Sequence, residues 1–191
     1  MKEYRTTYGI HPAFDNYPVV GISKYAAEEY YRWLTDKFGQ GLWEFRLPTR
    51  NEWIRAAQGT HASVPYPWGK NKWEGYRLQN QKGIYQCNFA DWYGTENLKF
   101  SDSFKEVTIN GKSFNRDNFD YIAYSDFYPK NDFGLFNMNG NVAELISDDE
   151  MAVGGSWKSG GYDVRVESTK PFTKPTDDVG FRPVAVLRKR N

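Results

Sequence analysis

The segment Asp132-Phe-Gly-Leu-Phe-Asn-Met-Asn-Gly-Asn-Val-Ala-Glu144 sets closely spaced oxygen donors in a turn-rich apolar run. Asn137 and Glu144 offer side-chain oxygens, and Gly140 lets the backbone turn its carbonyls inward. These donors suit a hard cation: calcium takes about six to eight oxygens in a flexible cage and needs neither nitrogen nor sulfur. An Asn-Gly pair also marks an ordinary tight turn, so the spacing alone leaves both readings open. Other chemistries find fewer residues to work with. There is no phosphate loop of the Gly-x-x-x-x-Gly-Lys type and no Gly-x-Ser-x-Gly elbow. His11 and His61 are distant in the chain, without His-x-x-x-His spacing, and read as surface or hydrogen-bonded loop residues. The single cysteine, Cys87, excludes an internal disulfide framework and reads as a small buried hydrophobe.

Two helices are expected to open the scaffold that positions these groups. The first has Ser23 as N-cap, places Ala26, Ala27, Tyr30, Trp33 and Leu34 on one face, and ends near Gly39. The second starts at Thr49, where Thr49-Arg-Asn-Glu52 matches a capping box, carries Trp53, Ala56 and Ala57 inward, and ends at Gly59. Short extended segments, Tyr17 to Ile22 and Trp43 to Leu47, precede them. Beyond residue 60 the helical period disappears. Val107 to Phe114 reads as a hairpin turning at Asn110-Gly111. Met151 to Trp157, Asp163 to Glu167 and Val179 to Val186 read as strands of one late antiparallel sheet. The expected class is α+β with much irregular loop.

Length and charge narrow the function. With 191 residues the chain forms one domain with room for a real core. Its 25 Lys+Arg against 24 Asp+Glu leave no basic excess of the kind nucleic-acid binding uses. No run approaches the ~20 apolar residues of a membrane span, and Met1-Lys-Glu-Tyr-Arg5 has no hydrophobic signal-peptide core. Aromatics make up 18% of the chain, and 17 Gly and 9 Pro imply long loops, which bound ions could tie together where no ladder does. Trp33, Trp43, Trp53, Trp68 and Trp157 are expected to pack in the core.

Several motifs occur in a fixed order: Pro18-Val-Val-Gly-Ile-Ser23, Arg46-Leu-Pro-Thr-Arg-Asn-Glu-Trp53, Tyr66-Pro-Trp-Gly69, Phe133 to Glu144, Gly154-Gly-Ser-Trp157 and Gly180-Phe-Arg182. Together they resemble the formylglycine-generating-enzyme (sulfatase-modifying factor) domain, a variant of the C-type-lectin fold. The likeness divides the chain into an extension over 1–16, the domain over 17–187 and a basic tail over 188–191. The stretch His11 to Val20 is in addition similar to gliding-motility and secretion lipoproteins of Bacteroidota. Arg46 and Arg182, inside these motifs, are read as half-buried arginines bonding carboxylates or loop carbonyls.

The resemblance implies two structural calcium sites. One would use the Asn88 side chain, the Phe89 carbonyl, the Asp117 side chain and the Phe119 carbonyl. The other would use the side chains of Asn137 and Glu144 with the carbonyls of Gly140 and Val142. It also implies where catalytic thiols should stand, and those positions are Ser159 and Val164. Soft thiolates select Cu(I), which harder side chains do not hold, so copper is not expected. The family's iron-dependent branch implies a three-histidine site that His11 and His61 alone do not make, so iron is not expected either, and the chain reads as no enzyme. The expected function is a calcium-braced binding or assembly module that offers loops 158–163 and 172–178, with Lys158, Ser159, Tyr162, Asp163, Phe172 and Asp177, to a protein partner or surface ligand. Altered chemistry in the same cleft, using Ser156, Ser159, Tyr162 or Arg165, is the alternative, as is a lectin-like receptor-binding role. Calcium favours an extracytoplasmic, cell-surface or virion-associated setting; the oligomeric state stays open.

Overall fold

A computed structural model of the chain describes residues 8–61, 64–68, 76–82, 84–90, 107–109, 112–114 and 121–188. A 3₁₀ turn, Pro12–Phe14, precedes helix α1, Lys24–Phe38. Strand β1, Trp43–Arg46, then leads to helix α2, Arg50–Gln58. Six short strands belong to the later chain besides β8: β2 (Val107–Ile109), β3 (Lys112–Phe114), β4 (Ala143–Leu145), β5 (Met151–Val153), β6 (Thr169–Pro171) and β7 (Val179–Gly180). The last strand, β8, is Val184–Leu187. The class is α+β, as expected.

Local chemistry sets both helix starts. The Ser23 hydroxyl accepts from the Ala26 N–H, and Thr49 and Glu52 form the reciprocal capping box. Glu52 does more than cap: Arg46 grips its carboxylate with two bonds of 2.7 and 2.8 Å, and Thr49 N–H adds a third at 2.8 Å. The helix entry is thereby tied to the end of β1.

The buried stripe of α1 lies about one position round from the expected face. Ala27 and Tyr31 are buried with Leu34 packed beside them, whereas Ala26, Tyr30 and Trp33 face outward. Tyr30 and Trp33 lie ring to ring at 5.7 Å on that outer stripe. Trp33 and Trp43 are 48% and 42% exposed, so the expectation of core packing fails for both. The reason for Trp43 is its place on a two-stranded sheet with one face toward solvent. Trp53 is fully buried, and Trp68 and Trp157 are half-buried.

The late sheet is mixed rather than antiparallel. Its order is β6-β5-β4-β7, and β4 runs parallel to β7 with Ala143 opposite Val179. β8 leaves it to pair antiparallel with β1, Trp43 opposite Leu187. The chain between β7 and β8 must make that change of sheet within a few residues, and this is where Arg182 sits. Asp163 to Glu167 forms turns, not a strand. Val164 and Val166 are buried there by facing separate apolar clusters, and the backbone bonds Gly160 and Pro65 rather than a ladder. β2 and β3 pair as a hairpin with Ile109 opposite Lys112, while the turn at Asn110-Gly111 lies outside the described residues.

The core sits on both sides of β4 and β5. Tyr31, Leu47, Leu145 and Phe172 fill one side against α1, and Trp53, Ile146, Val153 and Val166 fill the other against α2. The loop joining this core to the outer chain is the Asn137–Asn141 turn, where Asn137, Gly140 and Asn141 all have positive φ (49°, 71° and 63°). Asn tolerates this region and Gly occupies it freely. Gly140 is also close-packed: a Cβ there would strike the Asn88 carbonyl and lie 3.1 Å from Cys87 Cβ.

Two outcomes follow from these contacts. Gly140→Ala adds backbone strain and a clash with main chain, and it is expected to cost roughly 2 kcal/mol or more in urea denaturation. The Arg46 hydrogen bonds hold Glu52 down to about 2, against the opposing effect of burial and with help from Thr49. A depressed carboxylate stabilises above its ordinary value near 4.5, and that contribution is lost as pH falls from there through about 2. Across that window the stability gap between the native chain and Glu52→Gln should close; a gap independent of pH would contradict the ion-pair account.

Candidate functional site

Glu144 is the one buried carboxylate of the Asn137–Glu144 segment, and three elements converge on it. Oε2 accepts from Trp53 Nε1 on α2 at 2.7 Å. Arg182 Nη2 donates to Oε1 at 2.7 Å, and its Nε lies 3.0 Å from both oxygens. Arg182 Nη2 also bonds the Phe136 carbonyl at 2.9 Å. Burial lowers the Arg182 pKa, but the Glu144 charge and hydrogen bonds outweigh it and the net direction is upward. The reading of Arg46 and Arg182 as carboxylate-binding arginines holds for both.

A cavity of about 200 Å³ opens beside this pair, lined among others by Ser125, Asn137, Asn141, Val142, Glu144 and Arg182. Three of the four residues expected at the second cation site therefore share one cavity wall. Gly140 belongs to the same turn but does not line it, and its carbonyl accepts from Val142 N–H at 2.8 Å. Asn137 donates to the carbonyls of Tyr124 and Ser125 at 2.9 and 3.0 Å, which leaves its buried Oδ1 without a partner. An unpartnered buried oxygen is costly, so this atom fits a cation or a water.

Asn88, expected at the first site, presents the same signature. It is fully buried, its Nδ2 donates to Tyr121 O at 2.6 Å and to Asn141 Oδ1 at 3.3 Å, and its Oδ1 has no partner. The Phe89 ring packs with Tyr66, Cys87 and Val164. Asp117 and Phe119 lie outside the described residues, so half of this ligand set has no geometry to examine. Among the described residues no three His, Cys, Asp or Glu side chains converge. Any cation held by the residues described here would rest mainly on amide and backbone oxygens.

Asn141 was missed by the sequence reading and is the hub of this region. Its backbone N–H bonds Asn88 O at 2.7 Å, and its carbonyl accepts from Trp157 N at 3.0 Å. Its side chain pairs with the Ala123 backbone at both ends, 2.7 and 3.1 Å. Asn139 was missed too; its Nδ2 bonds Val164 O at 2.6 Å. The available signal was the density of amides in Asn137-Met-Asn-Gly-Asn141, since buried amides can satisfy loop backbone that no strand reaches.

Through Asn141 the turn reaches the Gly154-Gly-Ser156 cleft. Ser156 is 0% exposed, and its hydroxyl donates to Asp178 at 2.8 Å. Ser159 Oγ accepts from the Ser156 N–H at 3.0 Å. Val164 is buried in an apolar cluster. Asp178 is held low despite burial by Lys170, Thr176 and Ser156. Cys87 lies in the Val164 cluster, and burial pushes its thiol far above its ordinary range, so it is protonated at neutral pH. His11 caps the 3₁₀ turn through Nδ1, and His61 lies 3.0 Å from Asp132.

The six residues expected to meet a partner separate into two kinds. Tyr162 is 70% exposed, and the Arg165 guanidinium covers its ring at 3.3 Å. Lys158 and Asp163 are exposed, Ser159 and Asp177 are half-exposed, and Lys158 pairs with Asp177. Phe172 is a correction. It is 7% exposed, locked among Tyr31, Leu47 and Leu145, because its ring anchors the end of β6 in the core. No helix among the described residues is long and apolar enough to cross a membrane.

Comparison with known proteins agrees with this architecture. Treponema denticola variable protein 1 superposes with a TM-score of 0.57 at 17% identity, over 92% of this chain and 73% of that one. PvdO from Pseudomonas aeruginosa superposes at 0.60 and 17% identity, over 89% of this chain and 62% of that one. Both show the fold alone. Inactive C-alpha-formylglycine-generating enzyme 2 of Bos taurus is 30% identical over 181 residues, 87% of this chain and 49% of that protein. Formylglycine-generating enzyme of Mus musculus is 32% identical over 133 residues, 70% of this chain and 27% of that protein. The chain thus spans half or less of these two relatives, whose names include both an inactive and an active type. The finer likeness to gliding and secretion lipoproteins finds no support in them. A model of the sulfatase-modifying factor enzyme 1-like domain matches residues 3–187, and with the order of motifs around Glu144 and Arg182 it assigns the chain to that family, the formylglycine-generating-enzyme domain family.

Proposed function

We propose that this chain is a non-catalytic binding or assembly module, braced by calcium at the Asn88 and Asn137 sites, that presents the loops around Lys158 to Asp163 and Thr173 to Asp177. The observation that carries this reading is the pair of positions assigned to the family's thiols. Ser159 there is tied to Ser156, and Val164 is sealed in an apolar cluster. A hydroxyl and a hydrocarbon do not offer Cu(I) the soft ligands it selects. The one thiol, Cys87, is buried and protonated, which argues against a role for it in thiolate chemistry. Altered chemistry through Ser156 is disfavoured by its complete burial.

Calcium is supported by two of the three orphaned amide oxygens among the described residues, Asn88 Oδ1 and Asn137 Oδ1, each in a position the resemblance assigns to a ligand; the third, Asn139 Oδ1, is in no such position. When bound, the ion would supply charge and cross-linking to loops, not reactivity. Asn88 and Phe89 would hold one ion with Asp117 and Phe119; Asn137, Gly140, Val142 and Glu144 would hold the other. Presentation is supported by Tyr162, an exposed aromatic with the Arg165 guanidinium stacked on its ring, flanked by the Lys158–Asp177 pair and Asp163. A stiff aromatic with adaptable polar neighbours is a common basis for recognition of a protein or surface ligand. Phe172 serves this surface as an anchor, not a contact.

Cu(I) titration and thiol-dependent oxygen uptake test the non-catalytic reading. Neither stoichiometric copper binding nor oxygen consumption is expected, and observing both would overturn it. A thermal melt tests the brace. Free calcium at about 100 times the dissociation constant adds about 2.7 kcal/mol of apparent stability per site, so chelation should lower the melting temperature of a calcium-loaded sample. An unchanged melt would remove calcium from the proposal while leaving the copper result to stand separately.

A further inference from the structure

The second cation site contains its own resident cation. A carboxylate offers about four lone-pair positions across its two oxygens. At Glu144 three N–H groups already occupy most of them: Arg182 Nη2 on Oε1, Trp53 Nε1 on Oε2, and Arg182 Nε shared by both. Arg182 also lines the cavity that Asn137 and Val142 face. Glu144 is the only charged ligand expected there, so with Arg182 beside it the fixed charge of the set is zero. Calcium entering that cavity meets a guanidinium and must take lone pairs from it. The first site differs. Among its described residues no guanidinium contacts the ligand side chain: Asn88 bonds a neutral carbonyl and a neutral amide, and its Oδ1, like that of Asn137, has no donor.

On the reading that calcium binds at all, we propose that Arg182 is an intramolecular competitor for Glu144 that makes the Asn137–Glu144 site the weaker of the two. Arg182 is also the switch between two states of the loop junction. In one, Glu144 is held by Arg182, and the guanidinium bridges β4 to the Phe136 carbonyl and to the chain leaving β7. In the other, calcium takes part of the carboxylate and Arg182 relaxes toward Phe136 and solvent. The domain keeps a charge-matched Glu144 in either state, so loss of the weaker ion does not strand a buried charge.

The test is a calcium titration by isothermal calorimetry on chelator-stripped protein, comparing the native chain with Arg182→Gln and Arg182→Lys. Two binding steps are expected in the native chain. In Arg182→Gln the weaker step should tighten at least tenfold while the stronger stays put, and Arg182→Lys, which keeps the charge, should change it less. Calcium binding with both steps unaltered in Arg182→Gln overturns the competition. No calcium binding by any of the three proteins removes the calcium reading beneath it. Should Arg182→Gln fail to fold, the native chain answers alone: the nuclear magnetic resonance signal of the Arg182 Nε–H should shift as the second step saturates. A signal that stays fixed through both steps overturns the inference.

Discussion

The charge balance at Glu144 is the constraint on which this domain turns. A carboxylate this well buried needs matched donors, since one left unpaired is strongly destabilising. Trp53 brings α2 to it, Arg182 brings the segment that leaves the late sheet for β1, and Glu144 itself sits in the centre of β4. One side chain therefore ties together helix α2, the central strand β4 and the segment between β7 and β8. Arg suits this task because its planar fork engages both carboxylate oxygens through Nε and Nη2 while Nη2 also reaches a carbonyl.

Around that pair, amide side chains do what ladders do elsewhere. The described strands are two to four residues long, and much of the backbone lies in loops. Asn141 satisfies Ala123 at both its N–H and its carbonyl, Asn131 bonds Ala56 and Ala57, and Asn139 bonds Val164. Each is a long-range tie between segments that share no sheet. The oxygens such amides leave over, on Asn88, Asn137 and Asn139, are a consequence of the same device. The nitrogens are used to fix loops, and the acceptor left over on each amide has no partner within the protein.

This arrangement also separates frame from surface. The Gly154-Gly-Ser156 turn is buried against Trp53 and Met138, where a Cβ on Gly154 would meet the indole ring at 2.7 Å. Immediately after it, Lys158 to Asp163 reaches solvent, and the chain is buried again at Val164. A short exposed loop clamped by buried residues at both ends tolerates change in its side chains while its position stays fixed. That physical pattern agrees with family membership and with relatives named as both inactive and active enzymes, because the frame does not depend on what the loop carries.

The sequence by itself determined the locally encoded parts. The α1 cap at Ser23, the Thr49–Glu52 box and the register of the 107–114 hairpin were legible because each rests on residues only a few positions apart. So were the α+β class, the burial of Cys87 and the general role of Arg46 and Arg182 as half-buried arginines that bond carboxylates or loop carbonyls, though not which ones. Motif order carried the family. The tertiary structure decided what depends on neighbours distant in the chain. Trp33 and Trp43 share the composition of core residues, yet both are largely exposed: Trp33 lies on the outer stripe of α1 and Trp43 on the two-stranded β1–β8 sheet. Val164 and Val166 alternate like a strand, but separate clusters bury them without a ladder. Phe172 looked like part of a loop contact until Tyr31 of α1, Leu47 just after β1 and Leu145 of β4 enclosed it. Asn141 and the Arg182 grip on Glu144 were invisible for the same reason: a hydrogen bond across thirty or more residues leaves no periodicity to read, and only the folded chain brings its donor and acceptor within reach.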